Sequence, residues 1–301
     1  MAAGTKISLV QAGQSDELGR LRRVARELAR PLTAKELRPP LLTLYREHEQ
    51  SGNLPTSARF LFYEVESRGF ISKVVQERSD GKKGRRPDQN MLDALTWLRE
   101  NGDIRWEDIV DETRDVDDFS GFPTLLDGVF SYLDEIALDP WKGDVPFILT
   151  ESRSLAGVLR PIASEYGVRI ASTNGQCNGF LRTEVAPKIN STVLYFGDYD
   201  FSGGHIQDNS RRILESFTRI ENWENLAVTA DQVEEHKLTP IQKLDKRDGK
   251  KHEAVETEAL GQAVIVGILR DRLNTLLPEP LDSVLERERK ERATIRRKLR
   301  R

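Results

Sequence analysis

The sequence predicts a multidomain α/β protein, in which a helical N-terminal domain precedes a Rossmann-like parallel sheet. Three observations carry the prediction. From residue 145 onward, "VPFILTE", "VRIAST", "TVLYFGD" and "NLAVTA" are short runs rich in Val, Ile, Leu, Phe and Tyr, and the helical patterns "SLAGVLRPIASEYG" and "HIQDNSRRILESF" sit among them. Strands that alternate with helices imply a parallel sheet covered on both faces. Upstream, three stretches show helical spacing. Finally, "VLYFGDYDFSGGHI" (193–206) drives an apolar run into Asp198-Tyr199-Asp200 and then into Ser202-Gly203-Gly204.

Composition sets the bounds. The 301 residues are 38% apolar and 32% charged, with a net charge of −3. That is a globular chain with a very polar surface, and no stretch approaches the roughly 18 apolar residues of a membrane span. The N-terminus lacks the basic-then-apolar order of a secretory signal, so a cytoplasmic, nucleoid-associated protein is expected. The single Cys177 excludes an internal disulfide framework, and four scattered histidines argue against a zinc site. Charge is unevenly placed. Residues 286–301 hold nine Lys/Arg against three Glu, 80–90 hold four basic residues, and 107–118 hold seven acidic residues against one Arg. Such runs are either solvated faces or local patches for phosphate backbones.

Residues 1–33 read as a polar, partly helical arm, with Leu18, Leu21, Val24 and Leu28 at helical spacing before Pro31. The span 34–142 reads as the helical domain. Its first helix, over 34–50, is expected to break at Pro39-Pro40. A second helix starts at an N-cap on Thr56 or Ser57, presents Phe60, Leu61, Tyr63 and Val65, and stops at Gly69. A third opens after Pro87, presents Met91, Leu92, Leu95 and Leu98, and stops at Gly102. "DIRWEDIV" is expected as a strand after it. This order fits a winged-helix unit, whose last helix enters the DNA major groove, and equally a generic helical bundle. The sheet domain spans 143–278, with 231–255 irregular and 257–277 a closing helix. A basic tail, 279–301, follows.

The chemistry sits at the strand ends. Residues i and i+2 of a strand point to one side, so Asp198 and Asp200 are expected to project together where open α/β sheets carry their sites. "VPFILTE" also ends on a carboxylate, Glu151. If the two strands are neighbours, three carboxylates converge and repel unless a cation lies between them. Oxygen-only ligation without His or Cys favours Mg²⁺ or Mn²⁺. The glycines that follow let backbone approach a phosphate at a helix N-terminus. The competing reading of any one such Asp is a cap for the next helix.

A strand ending in Glu, then a strand ending in Asp-x-Asp with Ser-Gly close behind, resembles the Toprim domain. "YFGDYDFSGGHI" is similar to the form of that motif in the A subunit of topoisomerase VI and the related meiotic double-strand-break proteins. Two departures stand out: Phe201 replaces the usual Pro, and Glu151-Ser152, with Arg153 next, replaces the common Glu-Lys. The resemblance covers roughly residues 35–275. It implies Mg²⁺ (or Mn²⁺) on Glu151, Asp198 and Asp200, and a third acidic position at Glu256 or Glu258. It also implies a winged-helix nucleophile in an Arg-x-x-x-Tyr pattern, matched here by Arg59 and Tyr63. Such a tyrosine attacks a phosphodiester and becomes covalently linked to DNA. The tyrosine of one protomer meets the metal of the other, so a homodimer is implied.

DNA contacts are expected from Lys82, Lys83, Arg85 and Arg86, and from Arg153. "IQKLDKR", with Lys243 and Arg247, either faces the phosphate or is a plain loop. No Gly-x-x-x-x-Gly-Lys-Ser/Thr loop occurs, so strand passage would need a separate ATPase subunit. Two alternatives stay open. One is a hydrolytic Toprim nuclease with Tyr63 structural. The other is a non-catalytic DNA-binding subunit with a degenerate Toprim fold.

Overall fold

The computed structural model describes residues 32–72, 86, 88–110, 120–174, 178–200, 205–244 and 251–300. Contacts divide the chain into two compact units, Met1–Val110 and Asp111–Arg301. Residues 1–31 of the expected arm lie outside the described residues.

In the first unit, helix α1 (Ala34–Gln50) begins at a capping box, with the Thr33 hydroxyl accepting from the Glu36 N–H and the Glu36 carboxylate accepting from the Thr33 N–H. The expected break at Pro39-Pro40 does not occur, and α1 runs through both prolines. Pro40 is buried with Leu37, Leu41, Leu44 and Tyr45, and that apolar stripe offsets the two backbone donors the prolines lack. Strand β1 (Thr56–Ser57) leads into α2 (Ala58–Ser67), where the Ser57 hydroxyl caps the Phe60 N–H and Phe60, Leu61, Tyr63 and Val65 are buried. Helix α3 (Gln89–Glu100) packs on α1 and buries Met91, Leu95 and Leu98. The strand expected from "DIRWEDIV" shrinks to a 3₁₀ turn, Trp106–Asp108, and β2 (Ile109–Val110), which pairs in parallel with β1. Asp108 shortens it, because its buried carboxylate accepts from Tyr45 Oη (2.6 Å) and Arg105 Nε (2.9 Å) and holds a turn.

The second unit opens with α4 (Leu125–Glu135), capped by Thr124. Strand β3 (Phe147–Thr150), helix α5 (Arg153–Glu165), strand β4 (Arg169–Ser172), an irregular helical segment (178–188) and strand β5 (Thr192–Phe196) follow. Next come β6 (Tyr199–Asp200), α6 (His205–Glu215), β7 (Asn222–Ala227), α7 (Ala230–Glu235), β8 (Ile241–Leu244), β9 (Lys251–Val255), a 3₁₀ turn (Thr257–Leu260), α8 (Gln262–Leu276) and α9 (Leu281–Leu299). The main sheet has the order β4-β3-β5-β7, all parallel, as expected. Its register places Phe147, Leu149, Val193 and Tyr195 against Leu181, Val185, Ile213 and Leu214 on one face. Ile148, Leu194 and Glu224 share the other face, where Arg272 of α8 clamps Glu224 through two hydrogen bonds (2.5 and 2.6 Å). No helix of the described residues is long and apolar enough to cross a membrane.

Two expectations change here. The span 231–255 is not irregular: β8 and β9 form an antiparallel pair that continues to β6. Their polar alternation conceals them from a search for apolar runs. The basic tail is a 19-residue helix, α9, whose Val284 is buried.

Candidate functional site

Strands β3 and β5 are neighbours, and their connections leave in opposite directions, to β4 on one side and to β7 on the other. That makes the crevice beyond their C-terminal ends the switch point of the sheet. Glu151 and Asp198 stand on its two lips. The Glu151 N–H donates to the Phe196 carbonyl (2.9 Å), which extends the β3–β5 pairing by one step, and the Asp198 N–H donates to Glu151 Oε2 (2.7 Å).

The expected continuous strand through Asp198 and Asp200 is interrupted. β5 stops at Phe196, Gly197 and Asp198 form the link, and Asp200 lies in β6 opposite Ala254. The glycine is required there. A Cβ on Gly197 would fall 2.5 Å from a Tyr195 ring carbon and 2.6 Å from its hydroxyl. The backbone link thus passes directly over the Tyr195 ring. The side chain of Asp200 lies outside the described residues.

The 3₁₀ turn after β9 closes the site. The Thr257 N–H (3.0 Å) and hydroxyl (3.2 Å) both donate to Asp198 Oδ1. The next residue, Glu258, is fully buried, and its Oε1 accepts from Ser152 Oγ (2.9 Å) and Ser154 Oγ (3.2 Å). Ser152 also caps α5 by accepting from the Leu155 N–H. Of the two alternatives for the third acidic position, Glu258 is the one bonded into this network. Glu256 is half-buried just before the turn.

Three carboxylates are therefore joined through named donors: Glu151 to Asp198 by a backbone N–H, Asp198 to the Glu258 turn by Thr257, and Glu258 to the residues after Glu151 by two serine hydroxyls. Tyr195 lies beneath this cluster. Burial, followed by the charges of Glu151, Asp198 and Asp208, pushes its phenol far above the ordinary tyrosine range. An added proton or cation is favoured in such a field.

Among the described residues, no group of three or more His, Cys, Asp or Glu side chains is arranged to hold a metal ion. The donor chemistry nonetheless fits Mg²⁺ or Mn²⁺. All donors are oxygens, and Mg²⁺ characteristically uses one or two carboxylates and keeps several waters. Glu151 and Asp198 supply two.

The remaining predicted residues are more dispersed. Tyr63 is 6% exposed on α2 and meets Phe62 edge-on, with ring centroids 5.5 Å apart. Arg59 precedes it by one helical turn and is half-buried. Arg86 is exposed and pairs with Asp88 (3.4 Å), and Arg153 is exposed at the first turn of α5. Lys243 lies in β8 opposite His252, with its side chain outside the described residues. Lys82, Lys83, Arg85 and Arg247 also lie outside them.

Sequence reasoning missed Thr257, Tyr195 and the use made of Ser152. For Ser152 a signal existed: "ESRS" puts a hydroxyl at a helix N-cap immediately after the strand-end acid. No protein-family model matches this chain, and no curated protein or solved structure matches it either.

Proposed function

We propose that the chain is a Mg²⁺- or Mn²⁺-dependent DNA-cleaving protein of the topoisomerase VI A-subunit type. The observation that carries this reading is the hydrogen-bonded linkage of Glu151, Asp198 and Glu258 at the switch point of a parallel sheet. A fold that packs acids at its ligand crevice, and ties them together with N–H and O–H donors, supports a cation there.

In this reading Glu151 and Asp198, with Asp200, hold the metal, which supplies positive charge for the phosphoryl oxygens. Thr257 fixes the orientation of Asp198, and Glu258 fixes the N-terminus of α5 through Ser152 and Ser154. Tyr63 of one protomer attacks the phosphorus of DNA bound to the other. A Tyr63–phosphate ester forms, one P–O bond to a sugar breaks, the phenolic proton passes to water and the departing sugar oxygen takes one up. Arg59 stabilises the developing charge. Lys82, Lys83, Arg85, Arg86, Arg153, Lys243 and Arg247 hold the DNA backbone, and a separate ATPase subunit drives any strand passage.

One observation favours a second reading. Tyr63 is only 6% exposed, and a hydrolytic nuclease that uses water as nucleophile needs no accessible tyrosine. Supercoiled plasmid incubated with Mg²⁺ or Mn²⁺, stopped in detergent and analysed with and without protease, separates the two. Cut DNA that stays protein-linked until proteolysis, and is lost in Tyr63→Phe, establishes the transesterase. Protein-free cuts that survive Tyr63→Phe establish the hydrolase. Absence of any metal-dependent cutting contradicts both.

A further inference from the structure

One face of the second unit exposes an apolar stripe between α4 and α9. Leu125 is 92% exposed and Tyr132 66%, and Val129, Ile136, Ile295 and Leu299 are exposed beside them. The spacing 125, 129, 132, 136 places the α4 members on one side of that helix. Together with Ile295 and Leu299 they line a groove of about 660 Å³. The groove also depends on Gly128, since a Cβ there would meet the Phe122 ring at 2.9 Å.

The groove walls are tied together by polar contacts. Arg292 of α9 donates to the carbonyls of Leu133 (2.9 Å) and Ile136 (2.7 Å), which satisfies the C-terminal end of α4. Arg296 pairs with Asp134, the Leu138 N–H donates to Glu288 (2.9 Å), and the Arg300 guanidinium lies 5.7 Å from the Phe130 ring centroid. Such a pair of helices presents a fixed apolar surface, and a patch of this kind marks an interaction site.

We propose that this face is a homodimer interface, covered by the same face of a second copy. Charge selects the occupant. Exposed Asp127 and Glu135 flank the stripe on α4, and exposed Arg297, Lys298 and Arg300 flank it on α9. An isologous patch must be its own complement. Packed about a twofold axis, the acidic helix of each copy meets the basic helix of the other, whereas a partner of single sign would be repelled by one of them. Exposed side chains of this kind offer on the order of 100 Å² each, and with Phe122 and Leu126 added the stripe approaches the ~800 Å² per partner of a standard interface. The surface stands on these side chains and not on the carboxylate cluster, and its readout is mass rather than cleavage.

Light scattering coupled to size-exclusion chromatography of the full chain tests it. Wild type is expected at dimer mass, and Leu125→Asp and Tyr132→Asp at monomer mass with unchanged melting, since both residues are exposed. Charge reversal supplies a second arm. Asp127→Lys with Glu135→Lys in one variant, and Arg297→Glu with Lys298→Glu in another, are each expected to be monomeric alone and dimeric when mixed. A monomeric wild type at all concentrations, a dimer that survives Leu125→Asp and Tyr132→Asp, or a charge-reversed mixture that stays monomeric overturns the proposal.

Discussion

The backbone N–H of Asp198 donates to the carboxylate of Glu151 at 2.7 Å, so the acid ending one strand is the acceptor for the acid following its neighbour. The two groups are therefore coupled, and removing either disturbs the other. Glu151→Ala leaves a half-buried N–H without this acceptor and is expected to cost about 1–3 kcal/mol of stability. Glu151→Gln keeps an acceptor oxygen and is expected to melt near wild type. Both are expected to lower metal-dependent cleavage at least a hundredfold, so melting curves and cleavage rates should part company in the Gln variant.

Thr257 bonds Asp198 twice, and only the hydroxyl can be removed by substitution. Thr257→Val is expected to weaken Mg²⁺ dependence by about 10–100-fold, the usual effect of losing an outer partner of a ligand. Cleavage measured against Mg²⁺ concentration checks this. A curve that coincides with wild type would place Thr257 in the fold alone.

Glu258 is buried with two serine hydroxyls on one oxygen. Glu258→Ala strands both hydroxyls and is expected to lower stability by about 1–3 kcal/mol, read as a fall in Tm. Ser152→Ala with Ser154→Ala, which leaves the carboxylate buried without these donors, is expected to lower it at least as much.

Tyr195 gives the chain a pH dependence. Its phenol is raised in the folded state, chiefly by burial and then by Glu151, Asp198 and Asp208. The unfolded phenol titrates near the ordinary value of about 10. Above that pH the unfolded chain has released a proton that the folded chain still holds, so unfolding is favoured as pH rises further. Stability is expected to be full below about pH 10 and to fall above it by about 1.4 kcal/mol per unit from this residue. Tyr195→Phe is expected to remove that share of the slope in denaturant titrations, and an unchanged slope would show that Tyr195 ionises normally. Gly197→Ala, whose methyl would strike the same ring, is expected to destabilise by about 1–3 kcal/mol.

The parallel sheet is legible in the sequence because its strands are buried on both faces and read as unbroken apolar runs. β8 and β9 are not, since "IQKL" and "KHEAV" alternate with polar residues and find their identity only in pairing. α9 is concealed by its charge: nine Lys/Arg near the terminus read as a tail, although Val284, Ile295 and Leu299 recur at helical intervals. The prolines of α1 predict a break that tertiary burial of Pro40 overrides. At the site, Glu151 and Asp198 are visible as strand-end acids. Thr257 and Ser152 are not, because their role arises where residues about a hundred positions apart meet.

The central claim is that this acidic cluster binds a divalent cation. The most direct measurement is calorimetric titration of the DNA-free protein with Mn²⁺, for wild type, Asp198→Asn and Glu151→Gln. Saturable binding by wild type, lost or weakened at least tenfold in both variants, is the predicted result. No binding by wild type, or equal binding by all three, would contradict the account.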